Sequence, residues 1–379
     1  MKRRDFAILG LSACGMRWGM AAPQAQKLAQ SAAAQAPAAP ELAPADVSVP
    51  LTFRTGTNEV IVPVTVTDLN GKFVSNLTKD DFRILDEGRP QLIRSFSPPQ
   101  EHPAAMVVGF LVDLSNSAKT FWKTYQGAIQ DLIWTLLPGD QKFSGYLISY
   151  NTDAVLEVNT TRDGNKLADR VGQLKPGGGA ALYDAIHMAC TTRLVMPGEP
   201  FDPRRVIVVI GDGHNNSGDH NMGEVLELAK RELVTIFGMS TVSYGSDNVS
   251  QETLEQLTRE TGGKVVYPLG PNLYKNISGF FAQPMDAGNY VYEAGTGGYA
   301  GEVSRAIIDS VADLEGNITS QYIVTYVPDI DPSASTKDFR RLKIEVPSLP
   351  NTKIYARDGY FPNPVPQTQP AKPAVPPGK

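Results

Sequence analysis

The sequence predicts a doubly wound, Rossmann-like α/β domain with a mostly parallel sheet, accompanied by a smaller module made only of β-strands. Apolar runs such as MVVGFLVD and RVIVVIGDG have the length and character of strands buried on both faces of a sheet. Segments with helical spacing, such as FWKTYQGAIQDLIWTLL, separate these runs and predict helices on each side of the sheet. Short alternating stretches towards both ends of the chain predict strands of a different, half-buried kind.

The composition excludes several classes of protein. The 379 residues carry a net charge of −5, which argues against a nucleic-acid partner because binding phosphates needs a basic surface. Beyond the N-terminus, no segment approaches the roughly 20 apolar residues of a membrane span. Two cysteines, Cys14 and Cys190, give no basis for an internal disulfide framework.

The N-terminal residues 1–22 are predicted to be an export signal, since a basic start precedes a short apolar stretch and small-residue sites. The RRDF stretch resembles a twin-arginine signal, which would place the protein in the periplasm, in the cell envelope or outside the cell. The alternative is an ordinary basic N-terminus. The LSAC stretch resembles a lipoprotein processing box, so Cys14 is a candidate for lipidation and an N-terminal lipid anchor.

The rest of the chain divides by composition and periodicity. The predicted parts are a disordered linker (23–50), the first part of a β module (51–100), the α/β domain (104–316), terminal strands (317–362) and a disordered tail (363–379). The linker and tail are rich in Ala, Pro and Gln. An Asn-Gly turn signal in DLNGKFV supports the β module. We expect the terminal strands to pack with residues 51–100, and a long loop to span residues 269–302.

Oxygen-bearing side chains follow two of the predicted buried strands. Asp113 ends the first strand of the α/β domain, Ser115 and Ser117 follow at alternate positions, and Asp212 ends VIVVIGDG. In open α/β sheets, ligands bind at the carboxyl ends of the strands, where the strand order reverses. Carboxylate and hydroxyl oxygens suit Mg²⁺ and similar hard cations. The alternative is that Asp113 and Ser115 cap the following helix and that Asp212 belongs to a plain turn.

Three motifs together resemble the von Willebrand factor type A domain. They are the DLSNS stretch from Asp113, the GGGAALYDAI segment at 177–186 and the GDG at 211–213. The flanking stretches VTDLNGKFVSNLTKDDFRILDEGRPQ and QYIVTY…GYF resemble one bacterial branch, the acidobacterial-type VWFA-related secreted proteins. The resemblance covers roughly residues 51–362.

This resemblance implies an exported protein-binding or adhesion module with a metal-ion-dependent adhesion site. Such a site binds Mg²⁺, Mn²⁺ or Ca²⁺, and an Asp or Glu of a protein partner completes the coordination. Carried over residue by residue, the metal ligands are Asp113, Ser115, Ser117 and Asp212. Ala180 stands where relatives have a ligating Thr, so the site is expected to be degenerate. Asp184 and His214 are candidate accessory residues near it.

Two other functions compete with this one. The missing Thr favours a metal-independent structural scaffold in a cell-envelope complex. A secreted hydrolase would pair Ser115 with a histidine, but no G-x-S-x-G elbow precedes that serine. We therefore predict that the chain is not an enzyme.

Overall fold

The computed structural model describes residues 59–99, 105–119, 122–193, 195–197, 199, 203–241, 248–270, 297–329 and 338–362. The predicted export signal with Cys14, the linker, the tail and most of the predicted 269–302 loop lie outside these residues.

The described strands and helices alternate in the middle of the chain. The strands are β1 (Val60–Thr67), β2 (Arg83–Asp86), β3 (Arg89–Gln91), β4 (Ile93–Ser97), β5 (Met106–Asp113), β6 (Phe143–Tyr150), β7 (Ala154–Thr161), β8 (Arg204–Ile210), β9 (Val234–Met239), β10 (Val265–Val266), β11 (Tyr322–Tyr326), β12 (Arg340–Glu345), β13 (Lys353–Tyr355) and β14 (Gly359–Tyr360). The helices are α1 (Trp122–Leu136), α2 (Gly164–Gln173), α3 (Leu182–Thr191), α4 (Met222–Arg231), α5 (Asn248–Thr261) and α6 (Gly297–Thr319).

The α/β domain is built on a six-stranded sheet in the order β10-β9-β8-β5-β6-β7. Only the pairing of β6 with β7 is antiparallel; the other four pairings are parallel. The chain passes from β5 to β6 on one side and later returns to β8 on the other side. The strand order therefore reverses at β5, and this reversal opens a crevice at the carboxyl ends of β5 and β8.

Helices cover both faces of this sheet, because successive side chains of a strand point to opposite faces. On β5, Val108 and Phe110 pack in one core with residues of α1, α2 and α6. Val107 and Leu111 pack in a second core with residues of α3, α4 and α5. All eight residues of β5 are buried, which explains its continuous apolar sequence up to Asp113.

The all-β module combines strands from both ends of the described chain. Two four-stranded antiparallel sheets, β13-β1-β11-β4 and β14-β12-β2-β3, share one hydrophobic core. Strands β4 and β11, through which the chain enters and leaves the α/β domain, are neighbours, with Ser97 opposite Ile323. The predicted fold class, an α/β sheet with a smaller all-β module, is confirmed.

A buried carboxylate on β2 binds side chains from three other strands of this module. Asp86 is fully buried and accepts hydrogen bonds from the hydroxyls of Tyr326 and Tyr360, each at 3.0 Å. Arg340 completes the network with an ion pair of 2.8 Å between its Nη2 and Asp86 Oδ1. The network links β2 to β11, β12 and β14.

Lys230 connects the two parts of the structure. Its ammonium group lies 2.6 Å from a carboxylate oxygen of Glu260 in the α/β domain and 3.2 Å from one of Asp358, just before β14. The same group lies 4.7 Å from the ring centre of Phe339.

None of the helices in the described parts of the chain combines the length and the apolar character that a membrane-spanning segment needs.

Helix α6 begins at Gly297, inside the segment that the sequence predicts as a loop up to residue 302. Its later residues Val303, Ile307 and Val311 pack into the core beside α1. Burial of this apolar stripe stabilises a helix whose first residues, Gly297 and Gly298, have a low helix propensity.

Candidate metal centre

Asp113 and Asp212 lie at the carboxyl ends of two neighbouring parallel strands. Asp113 is the last residue of β5, and Asp212 follows two residues after β8, whose last residue, Ile210, pairs with Val112. Both acids are buried, with relative exposures of 2% and 6%. The structure therefore brings together the two carboxylates that are far apart in sequence.

Each of the two acids makes the same local turn. Asp113 Oδ1 accepts a hydrogen bond of 2.7 Å from the backbone N–H of Ser115, and Asp212 Oδ1 accepts one of 2.8 Å from that of His214. These bonds two residues along the chain shape the loops after β5 and β8. Turn formation thus explains one oxygen of each acid, but α1 begins only at Trp122, so Asp113 and Ser115 do not cap it.

The second oxygen of Asp113 is different. Asp113 Oδ2 is buried and has no hydrogen-bond partner among the described residues. Burial of the carboxyl group, with a contribution from the negative charge of Asp212, raises the pKa of Asp113 to about 6. At neutral pH the crevice thus holds buried negative charge that a cation would compensate. An oxygen without a partner beside a second carboxylate fits a hard divalent ion.

Two serine hydroxyls complete the set of oxygens on the β5 side. Ser115 Oγ and Ser117 Oγ lie 2.7 Å apart, within hydrogen-bond distance of each other. Ser115 is 5% exposed, whereas Ser117 is exposed at the start of a short 3-10 turn. The set therefore runs from the buried carboxylate of Asp113 outward to a hydroxyl at the surface.

The glycine-rich loop before α3 is hydrogen-bonded to the loop that carries the two serines. The backbone N–H of Asn116 donates to the carbonyl of Gly178 at 3.1 Å, which ties the serine loop to the glycine loop. Ala180, 1% exposed, has its N–H bound to Asn216 Oδ1 at 2.8 Å, and its carbonyl accepts from the N–H groups of Asn216 and Ser217. Position 180 is thus held by backbone bonds and contributes no side-chain oxygen.

The two predicted accessory residues have partners of their own. In the first turn of α3, Asp184 accepts hydrogen bonds from the backbone of Asp219 and from both the backbone and the ring of His220. Burial alone would raise the pKa of Asp184, but these bonds outweigh it and lower the pKa. The hydrogen bonds of Asp184 among the described residues thus tie the 219–220 loop to α3.

His214 lies at the rim of the crevice. Its backbone binds Asp212, and its ring nitrogen Nδ1 lies 3.2 Å from the hydroxyl of Ser250. Ser115, by contrast, pairs with Ser117. A hydrolase would need the hydroxyl of Ser115 to be hydrogen-bonded to a histidine. Here Ser115 is paired with Ser117 and the ring of His214 with Ser250, so the two are not paired with each other.

Two further residues of the crevice, Gly211 and Tyr150, were not among the predicted site residues. A Cβ atom at Gly211 would lie 2.8 Å from Asp113 Cβ and would overlap the hydroxyl of Tyr150. Tyr150 is 1% exposed and ends β6 directly opposite Asp113. The GDG motif was the available signal for Gly211, but only the strand order places Tyr150 beside the acids.

The candidate centre depends on hydroxyls as much as on acids. No group of three or more His, Cys, Asp or Glu side chains in the described part of the chain is arranged to hold a metal ion. Two carboxylates and two hydroxyls would carry less negative charge than a cluster of three or more acids. They would also leave coordination positions of the cation open for water or for an external carboxylate.

Several solved structures are similar to this chain. BatB from Bacteroides thetaiotaomicron is 19% identical, with a TM-score of 0.36, and the match covers 46% of this chain and 96% of that one. An aerotolerance-related membrane protein from Bacteroides fragilis is 18% identical, with a TM-score of 0.35 and coverages of 43% and 90%. Proximal thread matrix protein 1 from the mussel byssus, with a zinc-occupied MIDAS motif, is 13% identical, with a TM-score of 0.35 and coverages of 44% and 42%.

The sequence itself matches a family model. No curated protein matches the chain by sequence, but the model of the von Willebrand factor type A domain matches residues 108–270. That range contains Asp113, both serines, Ala180 and Asp212. Domains of this family are protein-interaction modules, and some of them carry metal sites. The resemblance to the von Willebrand factor type A domain that the sequence motifs indicate is therefore confirmed for residues 108–270.

Proposed function

We propose that this chain is an exported protein-binding module that uses a divalent cation to bind an acidic residue of a partner protein. The observation that carries the proposal is the unpartnered, buried Oδ2 of Asp113, at the end of a strand adjacent to the one that leads to Asp212. Buried like charges are costly unless an opposite charge compensates them. A bound cation would remove that cost and create a binding position at the surface.

The residues of the crevice have distinct roles in this proposal. Asp113, Ser115 and Ser117 would hold the cation directly, and Asp212 would hold it directly or through water. The cation, Mg²⁺ or a similar ion such as Mn²⁺ or Ca²⁺, supplies positive charge and a coordination position for the partner's Asp or Glu. Because Ser117 is exposed, the partner approaches from its side.

The proposed setting rests on the N-terminal sequence. An RRDF stretch at the start of a basic, then apolar segment supports export to the periplasm or envelope, and LSAC supports a lipid anchor at Cys14. Expression of the full chain in a bacterium with and without a working twin-arginine pathway tests this. Export that continues unchanged without that pathway would contradict the twin-arginine assignment.

A second function is favoured by one specific observation. Position 180 is Ala and its backbone is fixed by Asn216 and Ser217, so the loop keeps its place without a metal-binding hydroxyl. A metal-independent scaffold in an envelope complex would have this property. The two functions differ in whether a cation changes the stability of the folded chain.

Thermal melting with and without millimolar Mg²⁺ or Mn²⁺ distinguishes the two functions. It is done on the mature chain, which lacks the predicted export signal (1–22). A cation at 100 times its dissociation constant adds about 2.7 kcal/mol to the free energy of unfolding. We expect this gain in the wild type and its loss in Asp113→Ala. Asp169→Ala, which removes an exposed acid on α2, is the matched control and should respond like the wild type. No response in the wild type or in Ala180→Thr would support the scaffold.

The partner carboxylate is tested on the cation-loaded protein. A short peptide containing Glu and the same peptide with Gln are titrated into the mature chain in Mg²⁺ and in EDTA. We expect binding of the Glu peptide in Mg²⁺ only. Equal binding of both peptides, or binding that persists in EDTA, would contradict recognition through the cation.

A further inference from the structure

We propose that Tyr150 is a positioning residue of the cation site, whose hydroxyl donates a hydrogen bond to Asp113 Oδ2 when the cation is bound. This inference rests on the proposed function and adds a residue from a strand that the metal-binding motifs do not include. Two observations carry it, namely the environment of the Tyr150 hydroxyl and the contrast with a second tyrosine on the same strand.

Two polar atoms without partners lie close to the position that a side chain of Gly211 would occupy. Tyr150 Oη and Asp113 Oδ2 are both buried, and neither has a hydrogen-bond partner among the described residues. An ideal Cβ built on Gly211 would overlap Tyr150 Oη and lie 3.1 Å from Asp113 Oδ2. A donor and an acceptor that both lack a partner are thus gathered in the small space next to Gly211.

The sheet explains why these two side chains meet. Asp113 and Tyr150 are paired residues at the ends of β5 and β6, so they lie side by side in the sheet. Tyr150 packs in the core that β5 and β6 share with α3, α4 and α5. The absence of a side chain at Gly211 leaves room for the phenol to reach across to β8.

Tyr146 provides an internal comparison. It lies four residues earlier, packs in the same core as Tyr150 and reaches across a glycine of the neighbouring strand, Gly109. Its hydroxyl donates to the carbonyl of Ala189 at 3.1 Å. A buried tyrosine that lies over a glycine of the neighbouring strand can therefore find a hydrogen-bond acceptor within the protein. Tyr150 has a similar placement, but its hydroxyl lies beside the candidate metal ligand instead.

A buried donor without a partner lowers the stability of the folded state. The same donor beside a metal-ligating carboxylate can hold that carboxylate in place by a hydrogen bond. Carboxylates that bind metals are themselves held by hydrogen bonds, and the loss of such a partner weakens metal binding by about 10–100-fold. With the Thr position occupied by Ala180, this chain has one hydroxyl fewer around the cation. A bond from Tyr150 would fix the orientation of Asp113 from the core side.

The test compares Tyr150→Phe with Tyr146→Phe in the mature chain, and Mn²⁺ binding is measured by titration calorimetry. We expect Mn²⁺ to bind about 10–100-fold more weakly to Tyr150→Phe and within about twofold of the wild type to Tyr146→Phe. Without the cation, the melting temperature should fall only in Tyr146→Phe, which loses its bond to Ala189. A merely structural Tyr150 would change the melting temperature without changing Mn²⁺ affinity.

A second measurement needs no variant. In the wild type with ¹³C-labelled tyrosine, the Cζ resonance of Tyr150 is expected to shift on addition of Mg²⁺, and that of Tyr146 to stay in place. Unchanged Mn²⁺ affinity in Tyr150→Phe, or an unmoved Tyr150 resonance at saturating Mg²⁺, overturns the inference while the proposed function stands. Failure of the wild type to bind either cation overturns the proposed function, and the role of Tyr150 with it.

Discussion

Asp113, at the end of β5, and Gly211, directly after the neighbouring strand β8, lie so close together that a Cβ at position 211 would come within 2.8 Å of Asp113 Cβ. This closeness brings the acid at the end of β5 beside the Gly-Asp pair that follows β8. The candidate metal centre therefore depends on a missing side chain as well as on the oxygens that surround it.

The first prediction concerns this glycine. Gly211→Ala should lower the free energy of unfolding by at least 1–3 kcal/mol, roughly the cost of an overpacked core, because the new methyl overlaps Tyr150 and Asp113. Urea denaturation measures the change. Gly127→Ala is the control, since a Cβ there meets nothing within 4 Å, and it should stabilise α1 by about 0.5–1 kcal/mol. Similar losses in both variants would show that crowding at 211 is not the cause.

The second prediction follows from the pKa of Asp113. In the cation-free protein this pKa is raised from 3.8 to about 6, so the free energy of unfolding falls as the pH rises from 3.8 to 6, and the full loss is present above pH 6. Asp113→Asn should increase the cation-free stability at pH 7 by up to about 3 kcal/mol, the equivalent of that shift. The gain should shrink as the pH falls from 6 towards 3.8, where the folded wild type binds the proton instead.

Chemical denaturation at pH 7 and at pH 4.5, in EDTA, measures this gain. With Mg²⁺ in excess at pH 7 the order should reverse, because the amide cannot supply the negative charge that the cation needs. Loss of stability in Asp113→Asn at pH 7 without a cation would show that the carboxylate is not under strain.

The third prediction restores the missing hydroxyl. Ala180→Thr should bind Mn²⁺ at least about 10–100-fold more tightly than Ala180→Val, because the two side chains have the same shape and only Thr carries an oxygen. The comparison with Val also cancels the strain of a larger side chain at a position that is 1% exposed. Titration calorimetry measures both affinities. Equal affinities for the two variants would place the side chain of residue 180 away from the cation.

The fourth prediction concerns the all-β module. Asp86→Ala should cost about 3–5 kcal/mol, because it leaves Arg340 without its buried partner and removes the acceptor of two tyrosine hydroxyls. Glu227→Gln, which breaks an exposed pair with Arg231 on α4, should cost little. Thermal melting measures both losses, and equal losses would contradict a central role for the Asp86 network.

Much of the candidate site could be predicted because strand ends are visible in a sequence. The apolar run up to Asp113 and the one before Asp212 indicate two buried strands, and parallel strands bring their carboxyl ends to one edge. Tyr150 and Asn216 could not be assigned in this way. Their positions depend on which strands are neighbours and on how a loop folds back, and neither property is local.

The fold was predictable to a similar extent. Alternation and turn signals indicate the strands of both sheets of the β module, whereas the start of α6 at Gly297 is stabilised by packing of later residues such as Val303. Asp184 illustrates the limit for function. The sequence places it near the glycine loop, and only the structure shows the bonds that tie it to Asp219 and His220.

Because Ser97 and Ile323 face each other in neighbouring strands, the segment between them is an insertion between two strands that pair with each other. Replacing that segment by a turn of two to five residues would join β4 to β11 as a simple hairpin, with the remaining strand pairings untouched. The all-β module would then keep the core formed by its own strands and lose its contacts with the α/β domain, such as the ion pair of Asp358 with Lys230.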